Sequence, residues 1–259
     1  MNMDNFGKGA FYRARGLLFL GVLVVLGEKG FGTTVVIIQG PGRVVYLAAD
    51  RLQSSKESAF TRHICKIQKL DDMYWAAATN FYVHRSTRFD LETLVASIGR
   101  TGTLASRMQR FIEAARAPLE KEMASVEKDF PEEYARYAAG SPPLSIVFAG
   151  VENGDPTFIW TDFIPKKGEG RLTIKNVSPI KPVQPTAEEP INWVGFGYSD
   201  SFVSYLRDHP RQLFLDPGET IRTGLQTEES AHPKDVGEPF SILRIDWNGP
   251  QWIDHGECK

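Results

Sequence analysis

Gly32-Thr33-Thr34-Val35-Val36-Ile37-Ile38-Gln39 is followed by Gly40-Pro41-Gly42 and then by Arg43-Val44-Val45-Tyr46-Leu47-Ala48-Ala49-Asp50. β-Branched residues dominate the first run and fit a pleated, buried surface better than a helix, so it reads as a strand. Gly-Pro-Gly is turn chemistry, and the second run reads as the returning strand of a β-hairpin. With a two-residue loop at Pro41 and Gly42, Thr33 lies directly opposite Asp50, and a hydroxyl and a carboxylate become cross-strand neighbours. Proline suits type I and II turns better than the primed hairpin types. A three-residue loop would shift the pairing by one, so the register stays open.

Further on, Cys65-Lys66-Ile67-Gln68-Lys69-Leu70 sets a lysine at the head of another strand-like run. Gly-Thr-Thr before an apolar strand, a short turn, a second strand ending Ala-Ala-Asp, and this lysine segment together resemble a proteasome β-type subunit, an N-terminal-nucleophile (Ntn) hydrolase. The resemblance implies that Thr33 is freed as the first residue and becomes the nucleophile. It also implies that Asp50 is the buried carboxylate and Lys66 the active-site lysine. The spacing from Thr33 to Asp50 carries one residue more than is usual in the family, which falls in the Gly-Pro-Gly turn. Counting from Thr34 removes it, but Thr34 does not follow a glycine.

The resemblance is strongest over 32–80 and extends by element order over 143–165 and 192–254. In the segment Met73-Tyr74-Trp75-Ala76-Ala77-Ala78-Thr79-Asn80, the family commonly has glycines, one giving a backbone N–H to the oxyanion. Here Thr79 and Asn80 stand there, and a backbone donor needs no particular side chain. Two departures are specific. Phe196 in Val194-Gly195-Phe196-Gly197-Tyr198 takes the place of a supporting serine, and Pro233 and Val236 take the places of an Asp and a Ser. Asp235 or His232 is the nearest substitute.

The residues before the hairpin look like a processing segment. Arg13 and Arg15 form a basic flank, 17–26 is apolar apart from Gly21, and Glu28 and Lys29 close it. That apolar run is about half of the roughly 20 residues that span a bilayer, so a cleaved secretory signal over 1–32 fits better than a membrane helix. Gly30-Phe31-Gly32 is a small-x-small site that would release Thr33. The expectation is an exported protein, periplasmic or extracellular, with no stable membrane span after processing. Anchoring through 16–27 is the alternative, and in proteasome-like relatives self-cleavage at the Gly-Thr bond replaces the signal peptidase.

With 259 residues, 42% hydrophobic and 24% charged, the chain can bury a full core. A net charge of -2 and the lack of a basic run give no footing for nucleic acid. Cys65 and Cys258 form no metal-ligand pattern with the scattered histidines and leave a disulfide undecided. No cofactor and no metal is expected.

Beyond Asp50, 51–63 reads as a loop or short helix. Leu91, Leu94, Val95, Ile98, Leu104, Met108, Phe111 and Ile112 recur at helical spacing in 89–137, with Pro118 and Pro131 breaking the run into two or three helices. Strands at 144–150 and 156–161 flank Asn153-Gly154. One strand at 171–177 sits in a Pro-rich stretch, helices follow at 199–209 and 219–229, and strands at 240–246 and 250–253 flank Asn248-Gly249. This order fits an α+β fold, the four-layer αββα sandwich of two mainly antiparallel sheets found in Ntn hydrolases, over residues 33–259.

Functionally, the resemblance implies a threonine-type peptidase or amidohydrolase acting on a peptide or other amide. A non-peptide acylase is a further option. A threonine hydroxyl is a weak nucleophile, but its own α-amine, with an ordinary pKa of about 7.7–8.0, can take its proton. Because Phe196 and Val236 replace polar supports, a catalytically inactive proteasome-fold protein with a binding or assembly role is the alternative. Proteasome relatives stack in rings, which leaves a homo-oligomer open.

Overall fold

The computed structural model describes residues 33–40, 42–54, 61–79, 83–84, 89–166, 168–176, 178–181 and 193–255. The hairpin at the head of the fold is β1 (Thr34–Gly40) and β2 (Val44–Ala49). Its register differs from the two-residue-loop reading. Val35 pairs with Ala49 and Gly40 with Val44, so the connection has three residues. Gly42 and Arg43 both have positive φ there, 79° and 58°. Proline cannot adopt the positive φ of a primed turn, and a longer loop moves the left-handed positions past it. The shift puts Thr34, rather than Thr33, opposite Asp50.

The short strands β3 (Leu52–Ser54) and β4 (Thr61–His63) pair with each other where a loop or short helix was expected. Then come β5 (Ile67–Leu70), β6 (Met73–Thr79), and the small ladder of β7 (Val83–His84) and β8 (Phe89–Asp90). Helices α1 (Leu91–Ser97), α2 (Leu104–Asp129) and α3 (Pro131–Ala138) follow, the first two capped by Asp90 and Thr103 side chains. Pro118 does not break α2 as its position suggested. It lies half-buried, while Phe111, Ala115, Leu119 and Met123 pack into the core on both sides of it and hold the helix together. Pro131 instead opens α3 at its first turn, where the missing N–H costs nothing.

The remaining elements are β9 (Leu144–Glu152), β10 (Asp155–Lys166), β11 (Arg171–Asn176), β12 (Trp193–Gly197), α4 (Asp200–Asp208), α5 (Gln212–Leu215), α6 (Pro217–Ala231), β13 (Ser241–Asp246) and β14 (Gly249–Asp254). One antiparallel sheet has the order β12-β1-β2-β13-β14 and the other β11-β10-β9-β6-β5.

Three apolar layers show how they stack. Val35, Ile37, Val45 and Leu47 of the first sheet meet Ile67, Ala76, Ala78 and Val147 of the second. The alternate residues Val36, Ile38, Tyr46 and Ala48 pack on Phe202, Leu206, Ile221 and Leu225 of α4 and α6. On the far side Trp75, Ile146 and Phe148 pack on Phe111, Leu119 and Met123 of α2. The protein is therefore a four-layer αββα sandwich. Because β1 is covered on both faces, both of its side-chain rows are apolar, and its sequence reads as a continuous run instead of an alternation.

Candidate active site

The start of β1 and the end of β2 lie at one end of the first sheet. At the same end of the second sheet lie the entry to β5 and the exit of β6, since Ile67 pairs with Ala76 and the antiparallel register carries Lys66 toward Thr79. The polar groups singled out in the sequence gather here.

Asp50 is fully buried and Lys66 is 1% exposed. Lys66 Nζ donates to Asp50 Oδ1 at 2.7 Å and to the Leu52 carbonyl at 2.6 Å. The same Oδ1 accepts from the Thr34 amide at 2.6 Å, and Oδ2 accepts from the Leu52 amide at 3.1 Å. Asp50 thus joins the first strand, the second strand and the lysine at the head of the second sheet. Burial pushes the Asp50 carboxyl above its ordinary range, opposed by the charge and hydrogen bond of Lys66 and by the two amides. Burial likewise pushes the Lys66 ammonium down, opposed by Asp50.

Thr33 is buried, 4% exposed, immediately before β1. Val35 and Ile37 face the space between the sheets, and the two-residue period of a strand continues that row to Thr33. The peptide linking Thr33 to Thr34 is pinned on both sides: its N–H donates to Asp50, and its carbonyl accepts from the Tyr198 amide at 2.9 Å. Thr34 points the other way, its hydroxyl donating to the Tyr198 carbonyl at 2.5 Å. The outward direction of Thr34 keeps its side chain out of the layer between the sheets.

Thr79 ends β6 with its hydroxyl donating to the Pro143 carbonyl at 3.0 Å, and it shares the helix-side row of Trp75 and Ala77. The residue between them, Ala78, faces the other sheet. The side chain of Thr79 therefore does not narrow the space between the sheets. Asn80 and the Gly32 side of the expected cleavage site lie outside the described residues, as do Cys258 and the segment 1–32.

Phe196 lies in the layer between the sheets, its ring 6.4 Å from that of Trp160 in an edge-on contact. Val236 is fully buried. Tyr198, which the sequence reading passed over, holds the Thr33–Thr34 peptide from the side opposite Asp50. Its ring stacks on His232 at 4.1 Å between centroids, and its phenol hydrogen-bonds Asp235. Burial, with the charge of Asp235 added, pushes that phenol up. Asp235 and His232, the substitutes named from the sequence, thus reach the start of β1 through a tyrosine; a polar residue at the exit of β12 was the available signal.

Cys65, next to Lys66, is disulfide-bonded. Among the described residues no group of His, Cys, Asp and Glu is arranged to hold a metal ion. A surface hollow around Tyr205, Gln212 and Thr220 lies on the outer helical layer, away from the Asp50–Lys66 pair.

No protein-family model and no curated protein matches the chain. Among solved structures it is similar to Thiobacillus denitrificans BPH, at 14% identity over 83% of this chain and 98% of that one, with a TM-score of 0.48. It is also similar to Anbu from Hyphomicrobium sp. strain MC1, at 12% identity over 86% of this chain and 88% of that one, TM-score 0.47. A Gly-1 mutant of the same Anbu gives 12% identity, 86% and 87% coverage and a TM-score of 0.49. These findings correct the family named from the sequence: the similarities are to structures of BPH and Anbu, and at these values they assign the chain to no family, that of proteasome β-subunits included.

Proposed function

We propose that the chain is a threonine-type hydrolase of peptide or other amide bonds, with Thr33 as nucleophile once the bond after Gly32 is cut. The observation that carries this reading is the buried Asp50–Lys66 pair, one residue from Thr33 at the end of the layer between the sheets. A buried ion pair is a weak device for stability, so its presence beside a strand terminus favours a chemical role.

In the proposed reaction the Thr33 hydroxyl attacks the amide carbonyl and its proton passes to the Thr33 α-amine. The oxyanion is held by backbone N–H groups near Thr79 and Asn80. The proton then goes to the leaving amine, and water hydrolyses the acyl-threonine ester. Lys66 disfavours a protonated amine and Asp50 orients Lys66. Export of the chain is part of the proposal, supported by the disulfide at Cys65, since such bonds persist in oxidising compartments.

Trapping tests this. Material beginning at Thr33 should be acylated there by an electrophile that captures both hydroxyl and α-amine. Thr33→Ala should abolish labelling, Thr33→Ser should retain part of it, and Thr34→Ala should matter much less because Thr34 faces Tyr198. Correctly processed, folded protein that is neither labelled nor active on a broad peptide set would sink the proposal. A second reading, a non-hydrolytic binding or assembly protein, draws support from Phe196 and Val236, apolar and buried where polar supports were sought.

A further inference from the structure

Arg51 follows Asp50 in the chain and is only 7% exposed. Its backbone is fully used: the amide donates to the Gly237 carbonyl at 3.4 Å, and the carbonyl accepts from the Ile64 amide at 2.9 Å. Its guanidinium is not. Nε makes one long contact to the Ile64 carbonyl, 3.4 Å, and Nη1 is buried with no hydrogen-bond partner among the described residues.

The adjacent acid is already committed. Asp50 Oδ1 holds Lys66 and the Thr34 amide, and Oδ2 holds the Leu52 amide. Asp50 and Lys66 therefore cancel as a unit, while Arg51 adds a cation. A guanidinium does not shed its proton at any working pH, and a buried charge without a counter-charge is costly. Its planar fork matches a carboxylate, and among the described residues none is paired with it. Position adds to the argument. Through Ile64, Arg51 links the exit of β2 to the lead-in of β5, bridging the two sheets at the end where Thr33 begins.

We infer that Arg51 is an anion-binding residue of this site and that its anion is a carboxylate of the substrate, carried near the scissile amide. The choice of a substrate carboxylate rests on the hydrolase reading; the anion site rests on Arg51 itself. The amides favoured are those with an acidic side chain or a free carboxylate close to the bond that is cut.

Thermal unfolding of the full chain tests this in sodium succinate, acetate or phosphate, each against sodium chloride of matched ionic strength. Wild type should gain several degrees, saturably, with succinate or acetate. Arg51→Met should melt higher than wild type in chloride, because the uncompensated charge is gone, and should lose the response to carboxylates. Arg51→Lys keeps the charge but not the fork and should bind about tenfold more weakly. The inference is overturned by no saturable gain in wild type or by an equal gain in Arg51→Met. It also fails if Arg51→Met melts well below wild type in chloride, since the guanidinium would then be held within the fold. A response to phosphate alone refutes the carboxylate. None of these readings uses turnover: succinate binding through Arg51 in a protein not labelled at Thr33 refutes the hydrolase and leaves the anion site standing.

Discussion

Three donors converge on the Asp50 carboxylate: the Thr34 amide, the Leu52 amide and Lys66 Nζ. Replacing Asp50 by Leu should take the acceptor away from two buried amides and leave the Lys66 ammonium, still bonded to the Leu52 carbonyl, without that counter-charge in a dry interior, at a cost of about 3–5 kcal/mol, the range for breaking a buried pair from one side. Combining it with Lys66→Met should recover part of that loss, because the stranded ammonium is gone; urea denaturation of the four variants reads the coupling. Strict additivity would mean that the pair is not energetically coupled. Asp162 gives a prediction of opposite sign. Burial raises its carboxyl pKa, partly offset by the Ser145 hydroxyl at 2.7 Å and by Lys175. A raised folded pKa means the fold prefers the protonated acid, so its contribution is present below the ordinary value of about 3.9 and lost as pH rises through the folded value. Asp162→Asn should therefore stabilise the protein at neutral pH, with the gain shrinking toward acid. A gain that is constant with pH would rule this out. At this scale the sequence made the ion pair legible through Ala-Ala-Asp and Cys-Lys, but Tyr198 and Arg51 were silent. Their roles depend on which loops approach them, and no spacing within a strand encodes that.

Gly224 shows how two helices set the depth of the layer behind β1. A Cβ there would lie 2.7 Å from Phe202 Cδ2, and Phe202 is fully buried with nowhere to retreat. Gly224→Ala gains about 1 kcal/mol of helix propensity but meets an overpacking cost of about 1–3 kcal/mol. A net loss of about 1 kcal/mol is expected, rescued when Phe202 is shortened to Leu, and denaturation midpoints compare the three proteins. Stabilisation by the single change would show that α4 and α6 are free to separate. Elements of this kind were readable where packing and pattern agree, as in the β1–β2 hairpin and the β13–β14 pair. They were misread where tertiary contacts override local chemistry. Pro118 passes through α2 because the sheet holds both halves of the helix, and β3 and β4 form a ladder from residues with no apolar alternation.

Across the whole molecule, the order of strands and helices was enough to place two sheets between two helical layers, since each apolar face needs a cover. What the order did not contain is the one-residue register that decides which threonine meets Asp50. That register bears on the N-terminus. If Thr33 is the nucleophile, its amine must be freed, and every strand of the two main sheets begins after it. A cut after Gly32 therefore removes no part of the described fold. The same event, made by a secretion apparatus, would deliver the chain to a compartment where the disulfide at Cys65 persists. Protein isolated from its native host should accordingly begin at Thr33 and carry no thiol that reacts with an alkylating agent before reduction. Edman sequencing and intact mass before and after reduction read both. Labelling of that material should rise with pH as the α-amine loses its proton, near or below its ordinary 7.7–8.0, and Lys66→Met should move the rise upward by removing the neighbouring charge. A terminus at Met1 with alkylatable cysteines would remove both the export and the nucleophile. A Thr33 terminus with reduced cysteines would keep the nucleophile and assign the cut to the chain itself, because no oxidising compartment would then have been reached.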